Sequence, residues 1–300
     1  MPTKSNRARK PNQERWVTET LNERRGVRVS YRATEVLRKE NTGQQNLVFF
    51  RSPHFREMLA LDGAIQITAA DEFMYQEMMT HVPLFAHGGA RQVLIIGGGD
   101  CGIARQVLRH NSVQRLVQVE IDPSVVKFSK KHFPQLTGPV FADKRFELII
   151  EDGMKFVAIT GEQFDVIIVD STDPQGPGKV LFSYKFYSAC KRCLKRGGVL
   201  VTQNGVPFLQ ADELASSVAH FRKLFRDGSC YIAAIPSYFG GHMAMGWATD
   251  NTRLRRLSPQ TITTRYATAG RFSTGYWTPE VHRAAFALPR FISDTIGEIS

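Results

Sequence analysis

The stretch Phe164–Gly178, FDVIIVDSTDPQGPG, decides how the rest of the chain is read. Val166–Val169 is an unbroken apolar run, the pattern of a strand buried on both faces of a parallel sheet. It ends in two carboxylates, Asp170 and Asp173, with Pro174, Gly176 and Pro177 just beyond. Ligands of open α/β sheets sit outside the carboxyl ends of the strands. Two acids there, on a loop punctuated by Pro and Gly, fit a positively charged substrate. The competing reading is that Asp170 caps a turn, a common use of Asp.

Strands and helices alternate around this stretch. Val93–Ile96 leads into Gly97-Gly98-Gly99-Asp100-Cys101-Gly102 and a helix through His110. Arg115–Ile121 is a second strand, followed by a helix opening at Pro123, the favoured first position. Phe146–Ile150 is a third, ending in Glu151-Asp152-Gly153. After the fourth, Val166–Val169, a helix around Ser183–Leu194 stops at Gly197-Gly198, and Val199–Thr202 is a fifth. A helix over Asp212–Phe225 precedes strands near Tyr231–Ile235 and Met243–Ala248. This order predicts a doubly wound, mostly parallel sheet of the α/β class.

Upstream the texture changes. Residues 27–68 carry short β-branched and apolar runs separated by turn signals at Asn41–Gly43, Ser52–Pro53 and Asp62–Gly63. The last predicts a hairpin with arms Leu59–Leu61 and Ile65–Ile67. No crossover helices fall here, so a small antiparallel subdomain is expected over 14–70, before a catalytic domain over 71–300. Phe73, Met74, Glu77, Met78 and His81 then recur at helical spacing, with Pro83 as the expected end.

The net charge of +11 is unevenly spread. Residues 1–40 contribute +6 of it, and the remaining 260 residues only +5. Residues 1–13 read as a flexible basic tail. Such tails touch anionic surfaces or are simply solvated; with no recognition motif of the usual kinds, nucleic-acid binding is not the expected function. No stretch approaches the roughly 18 apolar residues of a membrane span, and the start has no apolar segment of a secretory signal. Four cysteines in 300 residues give no disulfide framework, so a reducing cytoplasm is the expected location.

Gly97, Gly99 and Gly102 satisfy G-x-G-x-x-G between a strand and a helix, a nucleotide-type fingerprint. Glu120 ends the next strand, where an acid accepts hydrogen bonds from ribose hydroxyls. These features do not separate a dinucleotide from S-adenosylmethionine or its relatives; Asp100 does so better. A carboxylate about 4 Å from a pyrophosphate, at an effective dielectric near 20, costs roughly 4 kcal/mol per pair of charges. A sulfonium or ammonium is attracted by a similar amount. The alternative use of Asp100 is as a helix cap. Its company favours function: Glu120, Asp122, Asp152, Asp170 and Asp173 all fall at or just after carboxyl ends of consecutive strands.

With those residues in place, LDGAIQIT (61–68), DEFMYQEMMTHVPLFAH (71–87), VLIIGGGDCG (93–102), VEID (119–122), EDGMKF (151–156), FDVIIVDSTDPQGPG (164–178) and HRAAFALP (282–289) closely resemble the spermidine synthase family of polyamine aminopropyltransferases. The resemblance covers about residues 30–290, in order and without large gaps. It implies a methyltransferase-like (Rossmann-type) domain with a seven-stranded, mostly parallel sheet and a small N-terminal antiparallel β-subdomain. It implies decarboxylated S-adenosylmethionine as co-substrate, a diamine or polyamine acceptor, no metal, and a homodimer or homotetramer. Carried over position by position, Gln45 and Gln66 would line the mouth of the cofactor site. Gly97, Gly99 and Gly153 would border the cofactor. Asp100 would hold the amine of the aminopropyl group, Glu120 the ribose, Ile121 one adenine face and Asp152 the adenine amino group. Asp170, Tyr75 and Tyr238 would position and help deprotonate the attacking amine. Asp173 would belong to the loop closing over the diamine, with Gln203 near it.

The sequence departs from the family pattern at four places. Cys101 stands at a usual Gly, Gln106 at a common Glu, Arg56 at a common Gly, and Gln76 at a residue that is His in many bacterial members. None removes a proposed catalytic group. The Cys190-x-x-Cys193 pair lacks a second ligand pair for zinc, and Cys101, at a helix N-terminus, is a candidate reactive thiol. The rival functions are the same donor with cadaverine, agmatine or spermidine as acceptor, an amine N-methyltransferase, and a non-enzymatic polyamine or nucleic-acid binder.

Overall fold

The computed structural model describes residues 15–172, 176–270 and 272–298, with the side chains of 176 and 177 excepted. The chain divides into two compact units, one ending at Ala70 and one beginning at Asp71. In the first, β1 (Arg15–Glu19) and β2 (Val29–Ala33) pair antiparallel. Strands β3 (Glu35–Asn41), β4 (Asn46–Ser52), β5 (Arg56–Leu61) and β6 (Ala64–Thr68) form an antiparallel sheet in that order. The β5–β6 hairpin turns at Asp62-Gly63, both left-handed (φ 48° and 78°), as a tight two-residue turn requires. Its register pairs Leu59 with Ile67 and Leu61 with Ala64. Phe50, Met58, Ala60, Ile65 and Tyr31 close a small core.

The second unit opens with α1 (Glu72–His87) and contains a seven-stranded sheet. Its strands are β7 (Gln92–Gly97), β8 (Arg115–Glu120), β9 (Phe146–Ile150), β10 (Phe164–Asp170), β11 (Leu194–Gln203), β12 (Asp227–Ala234) and β13 (His242–Thr249). The spatial order is β12-β13-β11-β10-β7-β8-β9, parallel except for β13, which runs antiparallel to both neighbours. The helices between them are α2 (Gly102–Val107), α3 (Pro123–His132), α4 (Pro134–Ala142), α5 (Gly153–Ile159), α6 (Tyr184–Arg192) and α7 (Pro207–Leu224), with α8 (Pro259–Ala269), α9 (Pro279–Ala284) and α10 (Arg290–Thr295) closing the chain. Successive residues of β7 alternate between two cores: Val93 and Ile95 pack with α1, α2 and Trp277, whereas Leu94 and Ile96 pack with α5, α6 and α7. That two-sided burial is why the strand reads as an unbroken apolar run. The chain winds one way from β7 and the other way from β10, so these adjacent strands flank the switch point where such sheets bind ligands.

Three local expectations are corrected. Pro83 does not end α1, which continues one turn to a left-handed Gly88 (φ 78°) whose N–H reaches Leu84 O at 2.8 Å. The extra turn is held by burial of Leu84, Phe85 and Ala86 and by Arg265, which donates to the carbonyls of Phe85 and Ala86 (2.7 and 2.6 Å). Gly197-Gly198 lie inside β11, which starts at Leu194; the register jumps there, Phe164 pairing with Leu194 but Val166 with Val199. The helix expected from Asp212 begins at Pro207, with a non-helical Gln210 (φ −127°, ψ 38°) between its parts. Among the described residues no helix is long and apolar enough to cross a membrane.

Candidate active site

The β7–α2 loop and the end of β10 meet at the switch point. Asp170 is the register partner of Gly97. Gly97 is left-handed (φ 86°), and a Cβ on it would run into the Asp170 carbonyl oxygen. The same carbonyl accepts the Gly98 N–H at 3.0 Å. Gln118, on β8, donates to the carbonyls of Gly97 (3.0 Å) and Gly98 (2.6 Å) and fixes the loop from the other side. The space beside Gly99 is taken by Val125 and by Glu120 Oε2, which would lie 3.1 Å from a Cβ there.

This construction gathers carboxylates. Asp100 Oδ1 accepts the N–H of Gly102, the first residue of α2, at 2.5 Å, although the N-cap position itself is Cys101. Burial pushes its carboxyl up, against the opposing pull of that N–H and of the Arg105 charge. Asp170 is likewise pushed up by burial and by the charges of Asp100 and Glu120, while the Tyr75 hydroxyl, donating to its Oδ1 at 2.7 Å, works the other way. Glu120 ends β8, accepts the Asp122 N–H at 2.8 Å, and is raised to about 7, chiefly by burial. Burial thus favours the neutral form of all three groups, and a nearby cation favours the charged form.

Tyr75 projects from α1, and its ring meets Tyr238 edge-on, 5.8 Å between centroids. Burial and the Asp170 charge push its phenol well above 10, so Tyr75 is a donor to Asp170 and not a base. Tyr238 is placed by the loop after β12, where Ser237 N–H donates to Asp71 Oδ2 at 2.7 Å. Gln203 ends β11, one residue past the Val169–Thr202 pair, and its buried Oε1 has no hydrogen-bond partner among the described residues. Ile121, following Glu120 at the carboxyl end of β8, is 44% exposed. Two of the six acids are committed to helices. Asp122 caps α3 through Ser124 N, and Asp152 caps α5 through Met154 N, each at 2.8 Å. Gly153 follows Asp152 as the first residue of α5, packed on Ile96.

Gln45, in the turn before β4, and Gln66, on β6, belong to the N-terminal unit. Asp173 lies outside the described residues.

Glu72 and Arg105 escaped the sequence reading. Glu72 opens α1, is raised to about 7 chiefly by burial, and lies 3.5 Å from Arg105 Nη2. That guanidinium also reaches Gln76 Oε1 at 3.5 Å, and the Gln76 amide packs directly on Gly102. A chain of polar groups thus runs from Glu72 through Arg105 and Gln76 to the loop of Asp100. Glu72 and Gln76 stand one helical turn apart, a spacing visible in the sequence. Gln118 also left a signal, as a lone amide in the apolar strand RLVQVE that burial obliges to find partners.

Other candidates resolve as structure. Glu77 accepts the N–H groups of Gly275, Tyr276 and Trp277 (2.8, 2.8 and 2.9 Å) and anchors the C-terminal segment to α1. His81 bonds His110 at 2.9 Å within a ring cluster that includes Phe85 and Trp277. Cys101 is left-handed (φ 62°) and fully buried, and burial with the Asp100 and Glu120 charges pushes its thiol to about 12, the opposite of a reactive thiolate. Cys190 and Cys193 are buried too. Among the described residues no cluster of three His, Cys, Asp or Glu side chains could hold a metal.

A mostly parallel α/β sheet with a carboxylate-lined crevice at its switch point defines a Rossmann-type protein whose acidic crevice suits a cationic ligand. Residues 72–257 match the family described as Spermine/spermidine synthase domain, and residues 15–69 match the Spermidine synthase tetramerisation domain. The chain belongs to the spermine/spermidine synthase family of polyamine aminopropyltransferases. It is 50% identical over 279 residues to the polyamine aminopropyltransferase of Ruegeria sp. (strain TM1040), covering 93% of this chain and 97% of that one. It is 49% identical over 280 residues to polyamine aminopropyltransferase 1 of Pseudomonas aeruginosa, with the same coverages. A spermidine synthase solved in complex with the transition-state analogue AdoDATO superposes with a TM-score of 0.89 at 32% identity, covering 98% of this chain and 99% of that one. The spermidine synthase of Thermotoga maritima superposes with a TM-score of 0.86 at 31% identity, covering 98% of both chains.

Proposed function

We propose that this protein transfers the aminopropyl group of decarboxylated S-adenosylmethionine to putrescine, giving spermidine and methylthioadenosine. The observation that carries the reading is the pair Asp100 and Asp170, two half-buried carboxylates, one on the loop after β7 and one at the end of the adjacent strand β10, the latter held by Tyr75. In the reaction the acceptor nitrogen attacks the methylene next to the sulfonium. A C–N bond forms as the C–S bond breaks, the electron pair of that bond stays on sulfur, and the new ammonium loses its proton.

In this reading Asp100 holds the donor's ammonium, Glu120 the ribose hydroxyls, Ile121 one face of the adenine, and Asp152 its amino group through the oxygen not capping α5. Gly97, Gly99 and Gly153 allow the backbone to approach the donor. An alkyl ammonium with a pKa of about 10.4 carries no lone pair. Loss of water around it lowers that value while the same burial raises Asp170, so the two approach each other. Asp170 orients the amine and accepts its proton, Tyr75 and Tyr238 fix its line of attack, and Gln203 completes the acceptor side, with Asp173 assigned to it on the family resemblance alone. Gln45 and Gln66 are assigned to the donor on the family resemblance alone, and the match of residues 15–69 to a tetramerisation domain supports a homotetramer. Intact S-adenosylmethionine fits less well, because its carboxylate would face Asp100.

The test is a product assay by mass spectrometry with decarboxylated S-adenosylmethionine and equimolar putrescine, cadaverine, agmatine and spermidine, with Asp170→Asn beside the wild type. One aminopropylated diamine plus methylthioadenosine, lost in the variant, is the expected result. In a parallel reaction supplied with intact S-adenosylmethionine instead, a methylated amine would sink the proposal.

A further inference from the structure

Three segments meet at the amino edge of the seven-stranded sheet, the edge opposite Asp170 and Gln203. They are 191–196, from the end of α6 into β11; 222–226, from the end of α7 to the start of β12; and 251–257, after β13. Strands β11 and β12 begin at this edge, and the antiparallel β13 between them ends there, Thr249 pairing with both Val199 and Asp227. Contacts lock the three segments together. Lys191 Nζ donates to the Leu224 carbonyl and lies 3.1 Å from Asp250, and Asp250 Oδ1 accepts the Arg226 N–H at 3.0 Å.

The segments hold ten Lys and Arg residues and no Asp or Glu. Four of the ten are occupied. Lys191 pairs with Asp250, Lys195 with Asp165, and Arg255 with Asp227 and Glu298, while Arg222 donates to the Gly228 and Ile296 carbonyls. The other six, Arg192, Arg196, Lys223, Arg226, Arg253 and Arg256, are exposed and have no ion-pair partner among the described residues. Cations in the last turn of a helix answer its dipole, which accounts for Arg192 and Lys223. The remaining four lie outside the α-helices, and their mutual repulsion is relieved by an anion across the edge. Five of the six are Arg, whose planar fork grips phosphate oxygens in pairs. The segments expose no large apolar side chain to enter a lipid surface and no ring for an unpaired base to stack on. That combination suits the phosphates of a duplex.

We propose that this amino edge is a docking face for duplex nucleic acid, held through its phosphate backbone without reading sequence. The face lies far from the chemistry. Strand β11 spans ten residues from Leu194 to Gln203, about 30 Å at a rise near 3.3 Å per residue. A duplex on this edge therefore leaves the crevice of Asp100 and Asp170 open, and the inference stands independently of the aminopropyl-transfer reading.

The experiment titrates the full chain into a fluorescent duplex of about 20 base pairs, as RNA and as DNA, and follows anisotropy between about 50 and about 200 mM salt. Six phosphate contacts at roughly 0.9 counterion each give a slope of log K against log salt near −5, expected with both forms. A variant carrying Arg196→Gln, Arg226→Gln, Arg253→Gln and Arg256→Gln should bring the slope to about −2 and weaken binding at about 50 mM salt by at least about 100-fold. Its unfolding temperature, size in solution and turnover should match wild type. The same four positions changed to Lys should keep the slope. No binding by wild type at about 50 mM salt, or a slope unchanged in the Gln variant, overturns the docking face. So does Arg-dependent capture of phosphatidylserine vesicles or of polyglutamate when neither duplex binds, which would make the partner a membrane or an acidic protein. A change of size in the Gln variant with duplex binding intact overturns it as well, making the edge an interface between copies.

Discussion

The Tyr75 hydroxyl lies 2.7 Å from Asp170 Oδ1, joining the first helix of the second unit to the end of its fourth sheet strand across 95 positions of sequence. The donor is a phenol held protonated by burial, so the bond lowers the proton affinity of Asp170 while fixing which oxygen faces the acceptor. Tyr75→Phe removes that donor without changing the ring. It should lower kcat about 10- to 100-fold, a loss in the range of general acid–base contributions, and move the acid limb of the kcat/KM profile to higher pH. An unmoved profile would show that the hydroxyl does not tune the acid.

Asp170→Asn separates function from stability. A carboxyl raised by burial adds stability below its unfolded value near 3.8, and that contribution is lost as pH rises towards its folded value. The amide carries no such penalty. The variant should unfold at a higher temperature than wild type at pH 8, by roughly 1–3 kcal/mol of stability, with the gap closing at pH 5. Activity should fall by at least about 1000-fold, the scale of losing both positioning and proton transfer. Thermal unfolding at the two pH values checks the sign.

Arg105 is the cation nearest the Asp100 loop, and Glu72 offsets it. Arg105→Met should shift the acid limb of the profile upward and raise the KM for the donor. Glu72→Gln should shift the limb downward. Opposite shifts are the signature of charge; damage to packing would move both variants the same way.

Among the described residues Arg56 and Cys101 are two of the three left-handed non-glycine positions (φ 62° at each), and both fall where the family resemblance leads one to expect glycine. For exposed Arg56 the strain is uncompensated by burial. Arg56→Gly should stabilise the protein by about 1 kcal/mol, the left-handed penalty less the entropy of glycine, read as an increase in the urea midpoint at unchanged slope.

Cys101 should resist thiol reagents. With a buried sulfur and a thiol raised to about 12, labelling at pH 8 should follow global unfolding. Rapid modification of the folded protein would contradict the geometry.

What the sequence made legible was local in origin. Unbroken apolar runs identified β7 and β10 because strands covered on both faces leave no polar alternation, and the acids at their ends followed by topology. The uses of Asp122 and Asp152 were hidden because a cap depends on which residue first turns helical, the least visible boundary in a sequence. The length of α1 was hidden because packing around Phe85 outweighs a proline. Arg105 and Glu72 meet only when α2 docks on α1, so no window of either helix displays the pair.

The close approach of Gly97 to the Asp170 carbonyl means that the fingerprint glycine and the acid form one mutational unit. A side chain at 97 cannot be accommodated without displacing the backbone that carries Asp170, so a substitution at one position is felt at the other. The two motifs, 73 positions apart, form one structural unit, and an engineer who wishes to regraft the site must transplant the loop and the strand end as a pair.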